Sequence, residues 1–384
     1  MKVLHIISGG DSGGAKTHIV TLLQELNTLP ELEIRLLCVL EGEFADAARN
    51  AGIDTTVIVQ KKRYDIFSVR RIAAFIKAGG FEVVHFHGAR ANYIAMFLRL
   101  MGVRKRVFCT TIHSDYMLDF VNDPYKQRFY MPINKFALKR FNYFITISKA
   151  MARLFETRGF AGEKLFSVYN GIKTSAVPDE IAGQAEFLSE HGVKHEPDCI
   201  YIGIAARLHK VKGVDVFLKA AKLASARNKK LRFLIAGAGD LEAEFESFIA
   251  DNGMADVCHM LGHVSDVFSF YNAVDINSLT SYSETFSYSL LEGGLMKKAT
   301  IAADCGGIPE MIVNRKTGLL FKTGDHLELA ECFLLLAGDG EMRRSCGEAF
   351  YQAVLNEFSA KRMGADHLKW YEYFIKNAVE KGVY

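Results

Sequence analysis

The chain has no uncharged apolar run of about eighteen residues, so nothing in it has the make-up of a membrane-spanning helix. After Lys2 the short apolar run 3–7 gives way to Ser8 and two glycines, which sets the expectation of a cytoplasmic protein without a signal peptide. Its seven cysteines (Cys38, Cys109, Cys199, Cys258, Cys305, Cys332 and Cys346) are odd in number and scattered, with no Cys-x-x-Cys pair. That pattern argues against a disulfide scaffold and fits a reducing compartment. Neither an Asp-x-Asp triplet nor a His/Asp cluster at ligand spacing occurs, so neither a metal nor another cofactor is expected. The Gly-x-Gly-x-x-Gly fingerprint and the Walker spacing are missing as well, which weighs against a dinucleotide-dependent oxidoreductase.

With 384 residues, 49% of them hydrophobic, the chain is long enough for two domains, each with its own core. The net charge of +3 conceals an asymmetry. Residues 1–175 carry 25 Lys and Arg against 15 Asp and Glu, whereas residues 176–384 carry 22 against 29. A basic first half rich in aromatics suits an anionic substrate or an anionic membrane surface, or is simply a solvated face. Nucleic acid is not expected as a partner, because dense Lys/Arg runs and reading motifs are missing.

Apolar runs of strand length alternate with segments of helical period, the pattern of βαβ units and parallel sheets. In the first half the strands fall at 3–7, 34–39, 83–86, 107–112, 143–147 and 165–169, with helices such as 15–26 and 68–78 between them. In the second half the strands fall at 200–205, 231–236, 257–261, 274–278, 300–303 and 318–321. The charged segment 174–198, with Pro178, Gly183, Gly192 and Pro197, reads as a linker. The fold class is therefore α/β, two doubly wound Rossmann-like domains in tandem, with ligands expected outside the carboxyl ends of the strands and an active site in the cleft between the domains.

Those strand ends carry the candidate chemistry. "SGGDSGGAKTHIV" follows the first strand, and its Gly13 and Gly14 lead into a helix whose first amides favour an anion, although a structural turn needs the same glycines. His113 ends the strand 107–112, where an imidazole can hydrogen-bond a sugar hydroxyl or take part in proton transfer. Arg207 and Lys212 share the loop of "GIAARLHKVKGVDVF" and suit a diphosphate, the arginine as a planar fork and the lysine as a point charge. In "SYSETFSYSLLEGG" a helix starting near Phe286 would direct the amides of Phe286, Ser287 and Tyr288 at a phosphate, with Glu284 outside it and Glu292 about 9 Å along. Two carboxylates so spaced suit the two ends of a nucleotide sugar, one taking sugar hydroxyls and the other ribose hydroxyls. Gly306 and Gly307 form a further turn after the strand 300–303, and Gly237 and Gly239 follow another strand.

With these motifs in view, the segment 283–312, "SETFSYSLLEGGLMKKATIAADCGGIPEMI", resembles the signature region of the family 4 retaining glycosyltransferases. "SGGAKTHIV", "TIHSDY", "VYNGI", "GIAARLHKVKG", "LIAGAGD", "LGHVSDVFSFYNAVDI" and "TGLLF" stand around it in the family's order. The resemblance implies the GT-B fold of two facing Rossmann-like domains. The acceptor-binding domain would be 1–175 together with a C-terminal helix at about 360–384, and the donor-binding domain 176–360. It further implies catalytic roles for His113, Arg207, Lys212 and Glu284, with His113 close to the transferred sugar. Donor contacts would come from Gly13, Gly14, Phe286, Ser287, Tyr288, Glu292, Gly306 and Gly307, without a metal. Two departures stand out: Ser287 replaces a frequent glycine and Lys16 a frequent glutamate, the latter reversing a charge near the acceptor side.

No carboxylate stands out as a nucleophile. The expected reaction is front-face substitution, in which the departing diphosphate helps deprotonate the acceptor hydroxyl while cations and amides stabilise it. The expected partners are a nucleotide-sugar donor, with UDP as the family's commonest carrier, and a lipid-linked or cell-surface glycan acceptor. A small acceptor such as a sugar phosphate is the second reading, and another two-domain nucleotide enzyme or a non-catalytic sugar-nucleotide binder is the third. Residues 116–144 alternate aromatics with Lys and Arg, and with Lys61, Lys62, Arg63, Arg70, Arg71, Arg104, Lys105 and Arg106 they would suit peripheral attachment to an anionic bilayer. A partly buried helix pair with a basic rim has the same composition.

Overall fold

The computed structural model describes residues 1–10, 14–61, 65–115, 117 and 124–382. Two compact units emerge, one formed by Met1–Gly171 with Ala360–Tyr384, the other by Ile172–Ser359.

The first unit is built on a parallel seven-stranded sheet of β1 (Lys2–Ile7), β2 (Glu33–Cys38), β3 (Thr55–Val57), β4 (Val83–His87), β5 (Val107–Ile112), β6 (Tyr143–Thr146) and β7 (Leu165–Ser167). Its order is β3-β2-β1-β4-β5-β6-β7, so the chain reverses direction across the sheet between β1 and β4. The two-residue period of β1 shows why this sheet is buried on both faces. Leu4 and Ile6 join one apolar cluster with the helices Ile66–Gly79 and Gly88–Leu100, while Val3 and Ile7 join the opposite cluster. The helix Ile66–Gly79 begins where Asp65 accepts from the amides of Phe67 and Ser68, and it ends at Gly80 in the left-handed region.

The C-terminal helix, Ala360–Glu380, belongs to this unit. Its buried stripe of Met363, Gly364, His367, Tyr371, Phe374 and Ala378 follows the helical period. Phe374 stacks on Tyr143 with ring centres 4.1 Å apart, and Gly364 lets the helix come close to Glu25. The helices Gly14–Leu26 and Ala360–Glu380 are packed together, and residues from both join the cluster that holds Val3 and Ile7.

The second unit has a parallel six-stranded sheet of β8 (Ile200–Ala205), β9 (Leu231–Ala236), β10 (Cys258–Gly262), β11 (Ile276–Leu279), β12 (Ala299–Asp304) and β13 (Leu319–Lys322). Its order, β10-β9-β8-β11-β12-β13, places the switch point between β8 and β11, where ligands of doubly wound sheets bind. Two expectations need correcting. β3 is a three-residue strand, too short to show a period, and was not foreseen. The segment 174–198 is not merely a linker, because it contains the helix Gln184–Glu190, whose Phe187 and Leu188 are buried in the core of the second unit.

The face of the first sheet under the C-terminal helix holds His5 and His85, fully buried, with His18 and His367 equally enclosed above them. Burial, then the neighbouring His367, pushes His5 down to about 3; burial pushes His367 down to about 4. Both stay neutral in the fold, whereas the unfolded chain protonates them near 6.5. Stability is therefore full above pH 6.5 and declines as pH falls towards 4, by roughly 3 kcal/mol for each such group. Amide exchange followed from pH 7 to pH 4.5 is expected to open β1 and β4 before β8 and β9. Equal protection of both sheets throughout would contradict this.

Candidate functional site

Three loops converge at the carboxyl ends of β8, β11 and β12. The loop after β8 carries the exposed Arg207, makes a short 3-10 turn at Lys210–Lys212 and passes through Gly213 before the helix Val214–Arg227. Gly213 has φ +63°, and a Cβ there would lie 2.1 Å from the Thr280 carbonyl oxygen, so only glycine lets this loop lie against the one after β11. The seam is hydrogen-bonded. The Tyr282 amide donates to the Val211 carbonyl at 2.8 Å, and the Thr280 hydroxyl donates to the Lys212 carbonyl at 3.1 Å.

Across that seam Lys212 Nζ lies 2.6 Å from Glu284 Oε2, and the Ser281 hydroxyl donates to the same oxygen at 3.2 Å. The pair is mostly shielded from solvent, with 21% and 12% of the two side chains exposed. The turn after β12 grips the same residue through its backbone: the Gly307 amide donates to the Glu284 carbonyl at 3.1 Å. Gly306, at φ +53°, would put a Cβ 1.8 Å from that carbonyl, so the approach requires glycine. Cys305 Sγ donates to the Ser281 carbonyl at 3.3 Å, and burial pushes its thiol up to about 11.

The helix does not start near Phe286, as the sequence suggested. It spans Tyr288–Leu295, and Ser287 is its N-cap, accepting from the Leu290 amide at 3.4 Å and meeting the Ser289 hydroxyl at 2.9 Å. Phe286 is instead buried against Phe358, with ring centres 5.8 Å apart. The first helical amides are thus those of Tyr288 and Ser289, which any helix start leaves without an intrahelical acceptor. Ser287, in the place of the family's frequent glycine, supplies the cap and so fixes the start. Glu292, on the fifth residue of the helix, accepts from the Tyr271 hydroxyl at 3.4 Å. Burial pushes its carboxyl up to about 7, and the Tyr271 bond opposes that rise. The roles of Tyr271, Ser281 and Gly213 are not legible in their motifs, because they depend on loops that meet only in the fold.

In the first unit Gly14 opens the helix Gly14–Leu26, while Gly13 lies outside the described residues. His113 follows β5 directly and keeps part of its surface exposed. Its ring lies 4.9 Å from that of His18, edge-on at 74°, and 6.1 Å from that of His87. Burial, then His367, pushes it down to about 4. Of the aromatic and basic stretch 116–144, residues 116 and 118–123 lie outside the described residues, as do Lys62 and Arg63.

In the sequence only His85 and His87 are neighbours, yet the fold brings a nitrogen of His5, His85 and His87 within 4.8 Å of one another. Five of their six ring nitrogens already have protein partners. His5 Nδ1 meets His87 Nε2 at 2.9 Å, His85 meets the hydroxyls of Tyr371 at 2.6 Å and Thr111 at 2.7 Å, and the Tyr371 hydroxyl also reaches His5 Nε2 at 3.4 Å. The cluster closes on itself as a neutral hydrogen-bonded array. A cavity of about 470 Å³ lies in the second unit beside Leu218, Phe245, Phe248 and Tyr282, but neither Arg207, Lys212, Glu284 nor Glu292 lines it.

Residues 12–176 match the family model described as Glycosyltransferase Family 4, and residues 189–353 the one described as Glycosyl transferases group 1. The N-acetyl-alpha-D-glucosaminyl L-malate synthase of Bacillus anthracis is 24% identical over 308 residues, 80% of this chain and 78% of the relative. The capsular polysaccharide biosynthesis glycosyltransferase CapM of Staphylococcus aureus is 24% identical over 188 residues, 48% of this chain, and the match spans about half of that relative, 49%. Alr3699/HepE of Anabaena, solved in complex with UDP, has the same fold at a TM-score of 0.82 and 17% identity, covering 97% of this chain and 100% of that one.

The carboxyl of Glu292 gives this site a pH signature. A carboxylic acid raised in the fold is a stability cost that is absent below about pH 4.5 and complete above about pH 7. Glu292→Gln is therefore expected to stabilise the second unit at pH 8 by roughly 2 kcal/mol, after discounting for residual solvent access, and to leave it unchanged at pH 4.5. Urea titrations at the two pH values measure the difference.

Proposed function

Since the chain belongs to glycosyltransferase family 4 and is a transferase with the GT-B fold, we propose that it moves a sugar from a nucleoside diphosphate sugar, a UDP-sugar in the first instance, to a hydroxyl acceptor with retention of configuration. The observation that carries this reading is the Lys212–Glu284 pair, formed where the loops after β8 and β11 meet at the switch point of the second sheet, the first loop also carrying Arg207 and the second leading into the helix Tyr288–Leu295. Arg207 and Lys212 offset the charge that grows on the departing diphosphate, and the amides of Tyr288 and Ser289 add fixed dipoles. The backbone at Gly306 and Gly307 holds Glu284, whose carboxylate takes hydroxyls of the donor sugar. Glu292 takes the ribose hydroxyls, and His113, Gly13 and Gly14 serve the reacting sugar. The departing diphosphate oxygen accepts the proton of the acceptor hydroxyl on the face where that hydroxyl attacks.

For the acceptor, a lipid-linked or cell-surface glycan precursor is favoured by the likeness to a capsular polysaccharide transferase and by the basic first unit. Ile66 and Phe67 are exposed at the start of their helix beside Arg70 and Arg71, a combination suited to an anionic cytoplasmic membrane face. Among the described residues no helix is long and apolar enough to cross a membrane. A small hydroxyl acceptor is the second reading, favoured by the malate-linked relative, whose match runs over 80% of this chain.

A thermal-shift screen with UDP, GDP, ADP and their sugars tests the donor. A ligand at a hundred times its dissociation constant stabilises by about 2.7 kcal/mol, and UDP compounds are expected to give the largest shift. Equal silence from all three sets would refute the proposal. Glu292→Ala is expected to weaken nucleotide binding, and Lys212→Ala to slow turnover by about a hundredfold with a smaller effect on binding. Unchanged kinetics in both would mean that the donor lies elsewhere. Sedimentation with anionic vesicles at low and high salt, alongside turnover with and without lipid, separates the two acceptors.

A further inference from the structure

His113 stands at the end of a row of imidazoles that comes from four separate elements. His5 lies on β1, His18 on the helix Gly14–Leu26, His85 and His87 on β4, and His367 on the C-terminal helix. His18 is the member in closest ring contact with His113, and only 1% of it is exposed. It is also 6.4 Å from His367, so it stands between the C-terminal helix and the strand end where His113 sits. Edge-on packing at 74° sets the positive edge of one ring towards the negative face of the other, which fixes ring orientation without a shared proton.

Among the described residues, the imidazoles of three histidines surround His113. They are His18, His87 and His367, and the Asp115 carboxylate on the same segment is held at 2.7 Å by Arg158. A second proton on His113 would destroy its ability to accept a hydrogen bond from a sugar hydroxyl.

We propose that His18 is a positioning residue for the transfer, holding the His113 ring in one orientation and in its neutral form by packing edge-on against it and keeping water from its inner side. The inference rests on the donor-transfer reading for the role of His113, but the pairing itself is measured without any substrate. His18 does not touch the reacting atoms. It acts through His113.

The test uses the full chain, with histidine ring-labelled NMR to follow the titration of His113, assigned from the spectrum of His113→Asn, and UDP release from UDP-glucose as a function of pH. His18→Ala opens space for water, so His113 is expected to titrate at least one pH unit above its wild-type position of about 4, towards the ordinary 6.5. The acid limb of kcat should rise with it, and kcat should fall about tenfold while KM for UDP-glucose changes less than twofold. His18→Phe keeps the ring and the edge-on contact and is expected to restore both the titration and the rate. If the alanine variant does not fold, His18→Asn, polar but without a ring, is read in its place.

Identical titration of His113 in wild type and His18→Ala would overturn the proposal. So would a shifted titration that leaves the acid limb of kcat where it was, because His18 would then be purely structural. A phenylalanine variant as impaired as alanine would overturn it too, by showing that the His18 nitrogens act themselves. Failure of the wild type to turn over UDP-glucose counts against the donor reading, and the titration alone then decides the pairing.

Discussion

The bond between Lys212 Nζ and Glu284 Oε2, 2.6 Å long and mostly shielded from water, is the contact in which the loops of the second unit meet and on which the donor-site reading depends. Neither residue belongs to a strand or a long helix, so the sheet alone does not place them. Their separation is set by two backbone approaches that only glycine permits: Gly213 against Thr280, and Gly306 against Glu284 itself. A side chain at either position would force apart loops whose amides and carbonyls are already paired. The sheet order brings β8 and β11 together at the switch point, the glycines close the last ångströms, and the ion pair is the result.

The first unit meets the opposite problem. There the sheet face is occupied by imidazoles and capped by a helix contributed from the far end of the chain. Neutral histidines can be buried at modest cost if their nitrogens find partners, and Tyr371 supplies a hydroxyl that reaches both His85 and His5. The C-terminal helix therefore does more than cover apolar surface, since its tyrosine completes the hydrogen bonding of β1 and β4. Its removal would expose Val3, Ile7 and Phe166 and leave the His85 ring without one partner. The same neutrality that stabilises this face at neutral pH makes it the acid-sensitive part of the molecule.

Much of this was legible in the sequence where physics acts locally. Runs such as Val107–Ile112 and Leu231–Ala236 announce buried parallel strands because both their faces must be apolar, and the structure keeps their bounds. Boundaries that depend on a cap were misjudged: Ser287 ends the loop two residues later than the apolar pattern around Phe286 suggests, because capping chemistry overrides hydrophobic continuity. The segment 174–198 reads as linker by its Pro, Gly and charge content, and only the packing of Phe187 and Leu188 reveals it as core. Arg207, Lys212, Glu284 and Glu292 were found as types at strand ends. That Lys212 and Glu284 bind each other, and that Tyr271 serves Glu292, are relations between distant loops that no spacing encodes.

That pairing changes how a diphosphate would meet the site. An isolated Glu284 carboxylate near the phosphate position would repel the incoming anion, and an isolated Lys212 ammonium would have to be desolvated on binding. Paired, each pays much of that cost during folding. The ammonium has three N–H donors, one of them directed at Glu284, so an arriving phosphate oxygen can take another without breaking the pair. On the proposed donor reading, Glu284 is then held at a fixed place beside the leaving group, with its second oxygen left for a sugar hydroxyl. On the proposed reading the pair is therefore not a lock that the substrate must open. It is the preorganised corner of the donor site, in which the cation serves the phosphate and the anion serves the sugar from one hydrogen-bonded unit.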